Sequence, residues 1–244
     1  MNSGKAKSKS RSSKGAPEGQ ALSRETIVAA ALELIDQHGL EAFSLRGVAK
    51  SLSVFPTAVY WYVDSKERLL AEAVALAFGP EEAPNPSADW RTDIRKLFHR
   101  WRTAIRRHPN IAPAVGTQLV SNTEVQFELV ERILGDLSRA GFKGSSLVGA
   151  YNSVIASLVG FVTQEFATMP HESLSNFQEQ IKDRLLTVDA KSYPILAMNV
   201  PLLANRTFIL RWQNGAEVPM DESFDFHIDI LIGGLTAALA APQN

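Results

Sequence analysis

The sequence predicts an all-α protein, with an N-terminal three-helix helix-turn-helix domain followed by a larger C-terminal helical domain. Three observations predict it. Apolar residues recur at helical spacing, as in Ile27, Ala30, Ala31, Leu34 and Ile35. Ser ahead of such runs and Gly or Pro behind them punctuate the chain at Ser23, Gly39, Ser44, Pro109 and Gly141. No segment alternates convincingly as a half-buried strand does and no internal repeat occurs, so about nine or ten helices are expected.

Residues 1–20 carry Lys5, Lys7, Lys9, Arg11 and Lys14 against Glu18 alone, in a Ser/Lys/Gly-rich stretch with almost no apolar residue to bury. This is expected to be a disordered basic tail, either a solvated leader or an arm adding salt-dependent phosphate contacts. Ser23 caps the first helix, with Glu25 favourable in its first turn, and Gly39 ends it. Ser44 caps a second helix of about two turns, whose apolar face is Leu45, Val48, Ala49 and Leu52. The third helix accepts Pro56 in its first turn and turns Val59 and Val63 inward. A fourth is expected to start at Asp64, spaced from Glu67 as in a capping box, and to reach Phe78.

Tyr60, Trp61 and Tyr62 stand side by side on that third helix. Neighbouring helical residues point about 100° apart, so one core cannot take all three rings. With Val59 and Val63 inward, Thr57, Tyr60 and Tyr62 face out, where hydroxyls suit phosphates and rings suit thymine methyls in a major groove. Two short helices joined by a tight turn and braced by longer ones form a helix-turn-helix.

The residues "HGLEAFSLRGVAKSL", "AVYWYV" and "SKERLL" make 22–78 resemble the DNA-binding domain of the tetracycline-repressor (TetR) family of bacterial regulators. The last segment, "FDFHIDILIGGLTAALA", resembles the closing helix of that family's C-terminal domains. Two positions depart from the pattern: Ser53 replaces the usual turn Gly, and Phe55 replaces the usual polar cap of the recognition helix. The resemblance implies a tail over 1–20, a DNA-binding domain over 21–68 and a helical ligand-binding and dimerisation domain over 69–244. It implies a ligand-responsive regulator, expected to be a repressor, whose DNA contacts are Ser44, Arg46, Thr57, Tyr60, Trp61, Tyr62 and Lys66; the lack of an apolar leader core makes a cytoplasmic protein the default expectation. The alternative is a small-molecule-binding or interaction module with a degenerate helix-turn-helix.

Beyond Phe78, Gly79, Pro80, Pro84 and Pro86 mark a linker or loop. Helices are then expected from Ser87 or Ala88 to Arg107, from Asn110 to Val120, over 122–140, over 145–168 up to Pro170, and from Ser223 to Ala240. Polar 172–187 and Pro-broken 192–210 lie between the last two.

Other chemistry is excluded residue by residue. The 244-residue chain has no cysteine, which removes thiolate catalysis, disulfides and Cys-based metal sites. Its five histidines form no H-x-x-x-H pair, and Gly144–Gly149 misses the nucleophile-elbow spacing. No Walker A or G-x-G-x-x-G loop occurs, so no enzyme is expected. No run of 18 apolar residues and no apolar leader core is present, so no membrane partner is expected.

One recognition helix reads too few base pairs, so a palindromic duplex operator and a two-fold homodimer are expected. Ile228, Leu231, Ile232 and Leu235 form the candidate seam, beside small residues Gly233, Gly234 and Ala237, in a four-helix bundle with 145–168. The same stripe would serve a protomer core. Trp101, Phe127, Asn152, Ile155, Val159 and Gln164 are the candidate walls of a ligand cavity, or packed core. Tetracycline repressors proper hold a magnesium–drug chelate with a histidine after the fifth helix. "PNIAPAVGTQLV" has no His, Asp or Glu, so an apolar or amphipathic organic effector without a cofactor or metal is expected.

Overall fold

Residues 22–79, 86–121, 127–168 and 174–240 are described by a computed structural model of the chain. The basic tail and most of the Pro-rich linker lie outside them. Eleven α-helices form among the described residues and no strand does. That exceeds the expected nine or ten because the polar 172–187 and Pro-broken 192–210 segments each yield a separate helix.

Helix α1 (Arg24–His38) begins at Ser23, which exchanges hydrogen bonds with Thr26, and ends at Gly39 with φ 78°. Helix α2 (Leu45–Ser51) is capped by the Ser44 hydroxyl, which accepts from the Gly47 amide. Gly47 allows a close approach here: a Cβ would stand 3.1 Å from the Leu34 side chain and from Ser44 Oγ. Helix α3 (Pro56–Tyr60) is five residues long, too short to persist without tertiary support. Helix α4 spans Lys66–Phe78 and is capped by Ser65, not Asp64, because the Ser65 hydroxyl accepts from the Arg68 amide. Asp64 instead takes a 2.9 Å hydrogen bond from the Arg68 guanidinium.

The body starts with α5 (Trp90–Arg107), capped by Asp89 two residues later than Ser87. A 3₁₀ turn at Pro109–Ile111 leads directly into α6 (Ala112–Ser121). Helices α7 (Phe127–Ala140), α8 (Gly144–Glu165), α9 (Leu174–Leu186), α10 (Pro194–Leu203) and α11 (Asp221–Ala240) follow. α8 stops at Glu165, short of the expected Thr168. The loop before α11 takes its last carbonyls: Gly215 N–H donates to Glu165 O at 2.7 Å, and Arg211 donates to Gln164 O. Only glycine fits at 215, since a Cβ there would lie 2.3 Å from Glu165 Cγ.

One apolar core runs from α1 to α11. α5 is its spine: Ile94, Leu97, Phe98 and Ile105 are fully buried, and each such side chain contributes about 1.5–3 kcal/mol. Across it, Arg102 Nε and Nη2 donate to the buried Glu165 carboxylate at 2.7 and 2.6 Å, and Met220 N–H adds a third bond. α1 packs against α4, with the Arg24 guanidinium on Glu72. That frame carries α2 and α3.

Candidate functional site

The α2–turn–α3 unit sits on the α1–α4 frame through a few fully buried side chains. Val48 and Ala49 of α2, and Val59 and Val63 around α3, have no exposed surface. Between α2 and α3 the chain reverses at Ser53, whose φ of 56° is left-handed. Val54 N–H then donates to Ala49 O at 3.0 Å and closes the turn. The sequence places a serine where the backbone favours glycine.

With Val59 and Val63 buried, the rings between them are pushed outward. Trp61 is 87% exposed, Tyr60 55%, and Thr57 is exposed as well. Tyr62 differs from the expectation: its hydroxyl donates to Leu22 O at 2.9 Å, so it ties the start of α1 to the turn after α3. Its hydroxyl proton is thereby committed, while the residue stays 38% exposed. Phe55, at the leading end of α3, is 83% exposed. Phe55 is not among the expected contacts, although an aromatic at a cap position that favours short polar side chains is a signal for one.

The charged candidates border the same surface. Arg46 is exposed on the first turn of α2. Lys66 is exposed at the start of α4, its Nζ 5.5 Å from the centre of the Phe43 ring, and this contact aims the stem. Ser44 spends one lone pair on its cap and keeps its proton to donate. Ser44, Arg46, Thr57, Tyr60, Trp61 and Lys66 therefore offer donors, a cation pair and flat apolar rings from short helices.

The body distributes the cavity candidates differently from the expectation. Trp101 is buried and meets the Phe78 ring of α4 at a tilt of 44°, ring centres 4.4 Å apart. It borders a cavity of about 170 Å³ shared with Ala75, Gly79, Arg100, Glu128 and Leu129. Phe127 is 71% exposed and does not border it, although its neighbours Glu128 and Leu129 do. Asn152 and Gln164 are exposed on α8, and Ile155 is half-buried. Val159 meets α6: a Cβ on Gly116 would lie 3.4 Å from its Cγ1, so this is a helix crossing. The six residues do not converge on one cavity.

The seam candidates also need correction. Ile228, Ile232 and Leu235 are buried within the protomer, in line with Phe224, and face α5 and α8. Leu231 is half-buried. The stripe left in solvent is Phe226, Ile230, Gly233, Gly234 and Ala237. A helix that is apolar all round has two candidate stripes, and composition does not say which one the protomer takes.

Comparison with known proteins fits this arrangement. Residues 27–73 match the family described as "Bacterial regulatory proteins, tetR family". Residues 83–239 match "Tetracyclin repressor-like, C-terminal domain". An HTH-type transcriptional regulator of Saccharopolyspora erythraea is 30% identical over 80% of this chain and 87% of its own. The class E tetracycline repressor protein of Escherichia coli is 29% identical over 89% of this chain and 92% of its own. Among solved structures, apo ActR of Streptomyces coelicolor superposes with a TM-score of 0.68 at 20% identity, covering 91% of this chain and 98% of its own. BioQ with its double-stranded DNA operator gives 0.59 at 21%, covering 88% and 99%.

Proposed function

The chain belongs to the TetR family of bacterial regulatory proteins, and from that premise we propose a homodimeric cytoplasmic repressor that reads a palindromic operator and leaves it when a small organic effector binds the body. The observation that carries this reading is the solvent-facing aromatic surface of α3. A Phe 83% exposed and a Trp 87% exposed at the two ends of α3 serve no need of the isolated protomer. In a major groove, Trp61 and Phe55 meet thymine methyls, while Thr57, Tyr60 and Ser44 donate to phosphates or base edges. Arg46 reaches a guanine edge and Lys66 a phosphate. Tyr62 holds the head rigid. The earlier division at 68/69 runs through α4, which serves both units: α1 packs on it from one side, α5 and α6 from the other.

The dimer follows from α8 and α11. Both are long and apolar enough to cross a bilayer, yet each buries one face in the body. Their outer stripes, with Val148, Gly149 and Ala156 on α8 and Phe226, Ile230 and Gly234 on α11, suit a second copy, whose small residues allow close approach. For the effector, the cavity bordered by Trp101, Phe78 and Leu129 has the useful position, because Ala75 and Phe78 of α4 line it. At about 170 Å³ it is smaller than most ligand sites, so binding must widen it and displace α4. The relative ActR has been solved in complex with actinorhodin, which supports an organic effector class.

Selection from random duplexes should enrich a two-fold symmetric site. Organic compounds that release wild type from it should lose their effect on Trp101→Ala while that variant still binds the site. Enrichment of no symmetric site would sink the reading, and unaltered release from Trp101→Ala would move the effector elsewhere.

A further inference from the structure

Two side chains of the body grip the far end of α1, and we infer that this joint, His108 and Asn110 against Ile35 and Asp36, sets the separation of the two reading heads. The inference rests on the dimeric DNA-reading function proposed above. Asn110 Nδ2 donates to Ile35 O at 3.1 Å and to Asp36 O at 3.0 Å, carbonyls of the last helical turn. His108 Nδ1 donates to Asp36 Oδ2 at 2.8 Å. Both residues lie where α5 passes into α6: His108 ends α5, and Asn110 sits in the 3₁₀ turn that becomes α6. Ile111 beside them is fully buried, so the turn is anchored in the body.

The DNA-binding domain thus meets the body at two places. α4 packs on α5 and α6, and α1 is held by the His108–Asn110 turn. One support alone would leave rotation about α4 free, and the second fixes the angle of α2 and α3. The joint is not packed solid. A cleft of about 470 Å³ opens beside it, bordered by His38, Gly39, Leu40, Asn110 and Thr168. α6 also crosses α8 closely at Gly116 and Val159, and α8 carries part of the proposed dimer seam. A continuous path of contacts therefore runs from the seam through α6 to the C-terminal end of α1.

The test is operator spacing. Asn110→Asp keeps the size of the side chain but faces the two carbonyls with an acceptor, and His108→Gln keeps a donor for Asp36. Wild type should prefer the selected operator by about tenfold or more over duplexes with one or two base pairs inserted at its centre. Asn110→Asp should reduce that preference by about fivefold or more, with single half-site affinity unchanged, while His108→Gln retains it. Because the chain has no cysteine, a spin label at an introduced Lys50→Cys reads the head-to-head distance without DNA, and Asn110→Asp should broaden it. A folded, dimeric Asn110→Asp with wild-type spacing preference and distance distribution would overturn the inference. Should that variant not fold, Asn110→Ala, which removes the bonds without adding charge, is judged by the same two readouts. Loss of half-site binding by wild type would instead refute the DNA-reading function itself.

Discussion

Ser53 shows how one residue reports on the turn around it. A left-handed φ costs an ordinary residue about 1–2 kcal/mol, whereas glycine there gives up about 0.5–1 kcal/mol of unfolded-state entropy. Ser53→Gly should therefore raise stability by about 0.5 kcal/mol in denaturant titration, and a clear loss would show that the serine hydroxyl contributes more than its backbone costs. At this scale the sequence was informative wherever function depends on local spacing. Val59 and Val63, four apart, correctly implied that the rings between them face out. It was silent on partners distant in sequence: nothing near Tyr62 says that its hydroxyl meets Leu22, 40 residues earlier.

Among the elements, the α1–α4 frame is held across its exposed edge by Glu72. The Arg24 guanidinium holds that carboxyl below its ordinary value of 4.5, against a smaller opposing effect of burial. A carboxyl whose folded value is depressed stabilises the fold above its unfolded value, and that contribution is lost as pH falls through the folded one. Melting temperature should thus drop more steeply below pH 4.5 in wild type than in Glu72→Gln. Equal slopes would mean that the pair contributes nothing, as exposed pairs often do. Caps made element starts legible at Ser23 and Ser44, where one hydroxyl and one amide decide the boundary. The end of α8 was not legible, because Gly215 and Arg211 set it from about 50 residues away. Of the cavity candidates only Trp101 borders the cavity beside α4, for a related reason. Residue type marks a helix face as apolar, but only packing decides whether that face meets a void, a crossing helix or solvent.

Assembly of the whole molecule turns on which stripe of α11 the protomer keeps. Ile230 is 59% exposed, whereas Ile232 is 7% exposed. Ile230→Glu should give folded monomers by light scattering that no longer bind a two-fold operator, and a dimeric Ile230→Glu would move the seam. Ile232→Glu should unfold the protomer, since a carboxylate there is buried without a partner. The apolar run and Gly pair make α11 the candidate assembly helix, but its periodicity fits both stripes. Reading of DNA by α2 and α3 is decided by a salt titration of operator affinity. Arg46→Ala should lose about 1–3 kcal/mol on the selected operator and discriminate less against mismatched ones. Lys66→Ala should weaken all duplexes alike and lower the salt slope by about one. Wild-type affinity, discrimination and salt slope in both variants would contradict it.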